Sequence, residues 1–181
     1  EKTAQMPEPQ FARENTILLD GEWEFSSEEA SGKIRVPYCP ESELSGIGYT
    51  GFLHACVYRR EFAWHDRPQK RVFLHFGAVS NRARVFVNGT FAGEHRGGYT
   101  PFAFEITKIL KEGQNLLEVQ VRNDLSERNP TGKQSCKEKS YGCFYTRCTG
   151  IWQSVWLEIV PQNYLKRVRF YPDAARGRVK M

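Results

Sequence analysis

A chain of 181 residues, 40% apolar and 26% charged, is long enough for one well-formed core and a piece of a second domain. Its net charge of +5 is spread among 21 acidic residues with no Lys/Arg run of five, which argues against a nucleic-acid partner. No apolar run approaches the roughly 18 residues of a membrane-spanning helix, so no membrane partner is expected. The aromatic share of 13% suits a β-protein or a sugar binder.

The opening stretch EKTAQMPEPQFARENT has no apolar core of the kind found in a secretory signal, so a signal has either been removed or never existed. From there most segments alternate with the period of two that marks half-buried strands. DGEWEF (20–25) and CVYRREFAW (56–64) read this way. In RVFLHFG, Val72, Leu74 and Phe76 fall on one face and Phe73 and His75 on the other. ARVFVNGTFAGEH carries Val85 and Val87 into Asn88-Gly89, a pair suited to the two positive-φ positions of a tight hairpin turn. The turn also accounts for the glycosylation-like Asn88-Gly89-Thr90. ITKILKEGQN predicts one short helical turn, capped by Thr107 and ended by Gly113. NLLEVQVRND alternates Leu117, Val119 and Val121.

RCTGIWQSVWLE (147–158) spends two tryptophans, a glycine and an arginine on one short segment. Read as a single strand entered through a bend at Gly150, it places Trp152, Ser154 and Trp156 on one face and Val155, Leu157 and Ile159 on the other. Packing is the ordinary use of such tryptophans, and a sugar-stacking platform is the rival. LKRVRFYP (165–172) predicts a last strand. At least seven short strands separated by turns define the expected fold class: all-β, a two-layer antiparallel sandwich.

Two stretches break the rhythm. VPYCPESELSGIGYTGFL (36–53) is rich in Pro, Gly and Ser and reads as loop. LSERNPTGKQSCKEKSYGCFYTR (125–147) has no sustained period. A loop beyond about 12–15 residues is usually functional or disordered, and Tyr141, Phe144 and Tyr145 favour one that presents side chains to a ligand or a neighbouring domain. The five cysteines lie at 39, 56, 136, 143 and 148, in spacings that match no common zinc site, so no metal is expected. Cys39 and Cys56 read as small buried hydrophobes and the others as loop thiols. A disulfide among the last three is compatible with export. His95 in EHRGGYTPF has no nucleophile–base company and reads as a hydrogen-bonded structural histidine.

The ordered set DGEWEF, VPYCPES, LSGIG, YRREF, FGAVSNRARVFVNG, GEHRGGYTPFAFEIT, GQNLLEVQVRND, TGKQ and YTRCTGIWQSVWLE resembles the amino-terminal domain of family 2 glycoside hydrolases, the β-galactosidase, β-glucuronidase and β-mannosidase group. The likeness runs from about Phe11 to Val160. It implies a jelly-roll sandwich of the galactose-binding-domain type over 1–160. Residues 161–181 would then open an immunoglobulin-like sandwich, with a TIM barrel beyond. It also implies that the two catalytic glutamates lie on that barrel, about 5–5.5 Å apart for a retaining mechanism. The chain would then hold no catalytic residue, need no cofactor and be inactive alone. Its partners would be a β-glycoside in the full enzyme, the two downstream domains, and other copies of itself in an oligomer.

By the same resemblance, the loop before the last core strand helps shape the sugar pocket. That makes Asp124, Lys133, Gln134, Tyr145 and Arg147 the candidate substrate-binding residues. Some members carry an aspartate just ahead of the matching arginine. Here Phe144, Tyr145 and Thr146 stand there, and Asp124 is the candidate to compensate. Arg147 would fork onto a carboxylate of a neighbouring domain or an acidic sugar. A periplasmic or extracellular bacterial location goes with the family, and a cytoplasmic one is the alternative. An autonomous carbohydrate-binding module on the same fold is the alternative function.

Overall fold

A computed structural model of the chain describes residues 15–65, 69–123 and 130–181. Alternating sequence becomes strand wherever a neighbour can pair with it. The core strands in chain order are β1 (Thr16–Leu18), β2 (Gly21–Ser26), β3 (Ser31–Val36), β4 (Ala55–Trp64), β5 (Lys70–Phe76), β6 (Val79–Ser80), β7 (Arg82–Val87), β8 (Thr90–Arg96), β9 (Phe102–Glu105), β10 (Gly113–Arg122), β11 (Gly150–Ile151) and β12 (Val155–Pro161). β1, β12, β5 and β9 form a four-stranded sheet, and β3, β2, β4, β10, β7 and β8 a six-stranded one. β6 and β11 form a two-stranded patch. All pairings in these sheets are antiparallel.

The inward faces of the two large sheets meet in one core. Val72, Leu74 and Phe76 of β5 and Val155, Leu157 and Ile159 of β12 join Trp23, Phe25, Tyr58, Val85, Val119 and Val121 from the other layer. The chain is therefore all-β, a two-layer β-sandwich. Tyr58 meets Trp23 and Phe25 edge-on, with ring centroids 6.5 and 5.2 Å apart. Trp23 Nε1 donates to the Leu19 carbonyl at 2.8 Å, so its polar tip is satisfied inside the core. Burying each of these large side chains contributes about 2–3 kcal/mol.

The Asn88-Gly89 turn forms as its composition requires, with φ of 53° and 77°, and joins β7 to β8. Val36 closes β3, and residues 37–53 are loop, with a single 3-10 turn at Glu43–Ser45 capped by Ser42.

Three expectations are corrected. Residues 147–158 do not make one strand. β11 ends at Ile151, the chain breaks pattern at 152–154, and β12 starts at Val155. The break follows from the partners. Ile151 pairs with Val79, Val155 pairs with Phe76, and the Ser154 carbonyl turns to Gly77 N at 2.9 Å. The aliphatic face of β12 is as read. Trp156 lies on its opposite face, stacked on His75 at 4.9 Å, and Trp152 belongs to a different place altogether.

The second correction concerns the cap of the turn at 106–110: the turn forms, with Leu110 N donating to the Ile106 carbonyl at 3.2 Å and Gly113 at φ 84°, but Thr107 does not cap it. Thr107 Oγ1 accepts from Val72 N of β5, so it serves the sheet, and the turn is held by Asn115, whose amide donates to the Lys111 and Gly113 carbonyls. The third is at 165–172. Residues 164–170 are not strand, and strand structure resumes in a small hairpin, β13 (Tyr171–Asp173) with β14 (Arg178–Lys180). Alternation makes a strand only where backbone groups find a ladder.

Candidate functional site

At one end of the sandwich, residues 130–149 form an ordered excursion between β10 and β11. Tyr145 N donates to the Lys133 carbonyl at 2.9 Å and Ser135 N to the Tyr145 carbonyl at 2.7 Å, so the two limbs of the loop pair at Gln134 and Tyr145. Nearer the tip, Tyr141 and Phe144 stack at 4.9 Å, with Lys137 Nζ 4.3 Å from the Tyr141 ring.

A second turn, after β8, meets this loop. Gly97 has φ 126°, a conformation that side chains resist, and it directs Gly98 and Tyr99 toward the loop. Tyr99 Oη donates to the Thr131 carbonyl at 2.7 Å and accepts from Gln134 Nε2 at 2.8 Å. Gln134 is tied at its other end too, since its Oε1 accepts from Cys148 N at 2.8 Å. Trp152 Nε1 donates to the Gly98 carbonyl at 2.8 Å, and its ring meets Tyr99 edge-on at 6.0 Å. Tyr99 is 48% exposed and Tyr145 52%. The hydroxyls of both converge on Gly132, where an added Cβ would stand 3.3 Å from Tyr145 and 3.6 Å from Tyr99. The result is a half-exposed shelf of Tyr99, Gln134, Tyr145 and Trp152, with aromatic faces and hydroxyl and carboxamide groups at their edges. Sugars present apolar C–H faces and hydroxyl rims, which such a shelf matches.

Of the candidate residues, Gln134 and Tyr145 lie together on the shelf. Lys133 is exposed beside them and joins the loop through its carbonyl. Asp124 lies outside the described residues. Arg147 is elsewhere: it is 2% exposed and faces inward. Its Nη1 donates to the Ser135 carbonyl at 3.3 Å and, in a short contact, to the Lys137 carbonyl. Its Nη2 donates to the Glu138 carbonyl at 3.1 Å and, in a second short contact, to the Thr50 carbonyl. The guanidinium also lies 4.4 Å from the Phe52 ring. Arg147 thus clamps the loop to residues 50–52, with both Nη atoms engaged and Nε buried without a hydrogen-bond partner, so no exposed guanidinium edge faces solvent.

Around the clamp lies support that sequence reasoning missed. Glu41 is buried, and its Oε2 accepts from Thr149 N at 3.1 Å. Asn123 Nδ2 donates to Thr149 Oγ1 at 2.9 Å, which anchors the end of β10. The Cys39 and Cys148 thiols are hydrogen-bonded to each other. The contact holds Cys39 below the usual thiol range and pushes Cys148 up. Cys39 is therefore a paired, half-buried thiol rather than an inert core residue. Cys56 is buried, and Cys136 and Cys143 are exposed free thiols. Gly150 has φ 72°, and a Cβ there would overlap the Tyr58 hydroxyl, so the bend into β11 demands glycine. His95 is a structural residue: Nε2 lies 3.1 Å from Thr100 Oγ1 and the ring stacks on Phe102 at 4.2 Å, with burial lowering its pKa.

The shelf itself carries no carboxylate, so it can bind and orient but has no acid–base pair. No group of three metal-capable side chains occurs among the described residues.

The two-layer β-sandwich with this loop at one end is a domain of the galactose-binding-like class. Residues 29–153 match the family model "Glycosyl hydrolase 2 galactose-binding domain-like". The chain belongs to that family. It is 38% identical over 125 residues to a β-galactosidase of Thermoanaerobacter pseudethanolicus, a match covering 67% of this chain and 16% of the relative. To a β-glucuronidase of Bacteroides fragilis it is 36% identical, over 62% of this chain and 17% of the relative. A β-glucuronidase structure from Lactobacillus rhamnosus superposes with a TM-score of 0.66 at 26% identity, covering 84% of this chain and 30% of that one. The chain spans less than a fifth of the length of these two curated relatives.

Proposed function

We propose that this chain is the amino-terminal, non-catalytic β-sandwich of a retaining family 2 glycosidase acting on a β-galactoside or β-glucuronide. In this reading 1–160 is the sandwich, and 161–181 opens the next domain. The supporting observation is the loop 130–149. It is fixed to the sandwich by a fully buried arginine, yet turns Gln134 and Tyr145 outward beside Tyr99. Such a loop suits a wall lent to a pocket whose catalytic carboxylates sit on another domain. Lys133 belongs to the same proposed wall, Arg147 is its positioning residue, and Asp124 is a further proposed substrate contact.

The test is to titrate the 181-residue chain with a β-galactoside and a β-glucuronide by ligand-observed NMR and to assay both chromogenic glycosides. A supporting domain shows neither saturable micromolar binding nor turnover. Saturable binding without turnover would make the chain an autonomous carbohydrate-binding module, and turnover would refute the assignment outright.

A further inference from the structure

The outer face of the six-stranded sheet carries an arrangement that stability alone disfavours. Arg122 of β10, Arg82 of β7 and Arg96 of β8 are direct cross-strand neighbours, in register across three adjacent strands. Val121 and Ala83, next to Arg122 and Arg82, point into the core, and His95, next to Arg96, is the register partner of Ala83, so these three arginines share the exposed face. Like charges directly opposite one another destabilise a sheet. The next row holds Gln120, Arg84 and Glu94.

Glu94 is the one carboxylate in the two rows. It takes a two-pronged contact from Arg82 at 2.8 and 3.0 Å and lies 3.8 Å from Arg84. Glu118 in the row beyond is engaged by Arg59 at 2.7 Å. Among the described residues, Arg96 and Arg122 have no ion-pair partner, which leaves four guanidiniums facing one carboxylate. Arg82, Arg84, Phe91, Glu94, Gln120 and Arg122 line a shallow depression of about 370 Å³. Phe91 is 52% exposed there, with the Arg84 guanidinium 5.5 Å from its ring.

We infer that this face binds an anionic glycan, one whose sugars carry carboxylate or sulfate groups. Guanidiniums fork onto either group, and the exposed Phe91 ring offers a stacking surface for a sugar's C–H face. Three strands span about 10 Å, the scale of a short run of sugar rings and far short of the extended cationic track that a polynucleotide follows. The row also ends beside the shelf, since Arg96 leads through Gly97-Gly98 to Tyr99. The inference stands whether or not the shelf binds sugar, because no shelf residue takes part in it.

The experiment measures binding of the full chain to an oligogalacturonate and to a heparin oligosaccharide, with a neutral cello-oligosaccharide and a short oligothymidylate as controls. Binding to at least one acidic glycan is expected, about tenfold weaker when salt rises from about 50 to 200 mM. Arg96→Ser with Arg122→Ser should weaken it about tenfold or more. Glu94→Gln should tighten it, a change of opposite sign that misfolding cannot imitate. No binding to either acidic glycan, equal binding to the neutral one, tighter binding to oligothymidylate, or an unchanged Kd in the double variant would each overturn it.

Discussion

Arg147 brings a positive charge into the interior, and among the described residues no carboxylate meets it there. Backbone carbonyls from Thr50, Ser135, Lys137 and Glu138 do so instead. Five donors in a rigid fork can serve several carbonyls at once, whereas a lysine ammonium cannot reach the same set. Arg147→Met keeps much of the volume but strands four carbonyls, at a cost of about 3 kcal/mol. Arg147→Lys should recover only part of that. The loop should also loosen locally, so trypsin should cut after Lys137 or Lys139 faster than in the parent while the sandwich stays folded. Urea midpoints and a proteolysis time course read the two effects separately. A variant with parental values in both would remove the clamp from the account. The sequence singles out Arg147, but an arginine in a polar loop gives no hint of which way it faces. Burial is decided here by Phe52 and Thr50, almost a hundred residues away.

The elements that sequence made legible are those whose signals are local. The face pattern of β5 and the Asn88-Gly89 turn are short-range features, and both stand as read. What escaped were the places where a distant partner overrides pattern. Alternation puts Trp152 on the strand of Trp156, yet its indole binds Gly98, and the position of Thr107 suits a cap, yet it serves β5. On the candidate site, Gln134 and Tyr145 could be picked from their loop, but their junction with Tyr99 rests on a turn 35 residues away. The hairpin gives a sharp test of how local and distant effects divide. Gly89 is open, with nothing within 4 Å of an added Cβ, so Gly89→Ala should cost only its positive φ, about 1 kcal/mol. Asn88 does more than accept a positive φ. Its Nδ2 donates to the Ile109 carbonyl and Asn115 Oδ1, and its Oδ1 accepts from Leu116 N. Asn88→Ala should therefore cost more, about 2–4 kcal/mol, by breaking a network that holds three elements. Equal costs for the two variants in denaturant unfolding would mean that the turn alone matters.

At the scale of the whole molecule, the question is which part of the chain is the folding unit. Every strand of the two large sheets lies at or before Pro161, and so does every residue of the core. Beyond it, Tyr164 returns to the sandwich, with its ring 5.8 Å from Phe73 and the Arg71 guanidinium 5.6 Å away. The final hairpin lies apart from this core: Phe170, Tyr171, Val179 and Met181 are all exposed. Apolar side chains that stay in water contribute nothing to the hydrophobic term, so their removal should cost the sandwich almost none of its stability. A chain ending after Tyr164 should unfold in one cooperative transition with Tm within about 2 °C of the parent, which corresponds to less than about 1 kcal/mol for a domain of this size. A chain ending after Ile159 should behave differently, because it cuts β12 against its partner β5 and strips the Tyr164 contact as well. Calorimetry on the two truncations separates the outcomes. A large loss of Tm in the first would place residues 165–181 inside the sandwich's folding unit and remove the proposed boundary near 160. A small loss in both would mean that the end of β12 is dispensable and that the core is held by the strands before it.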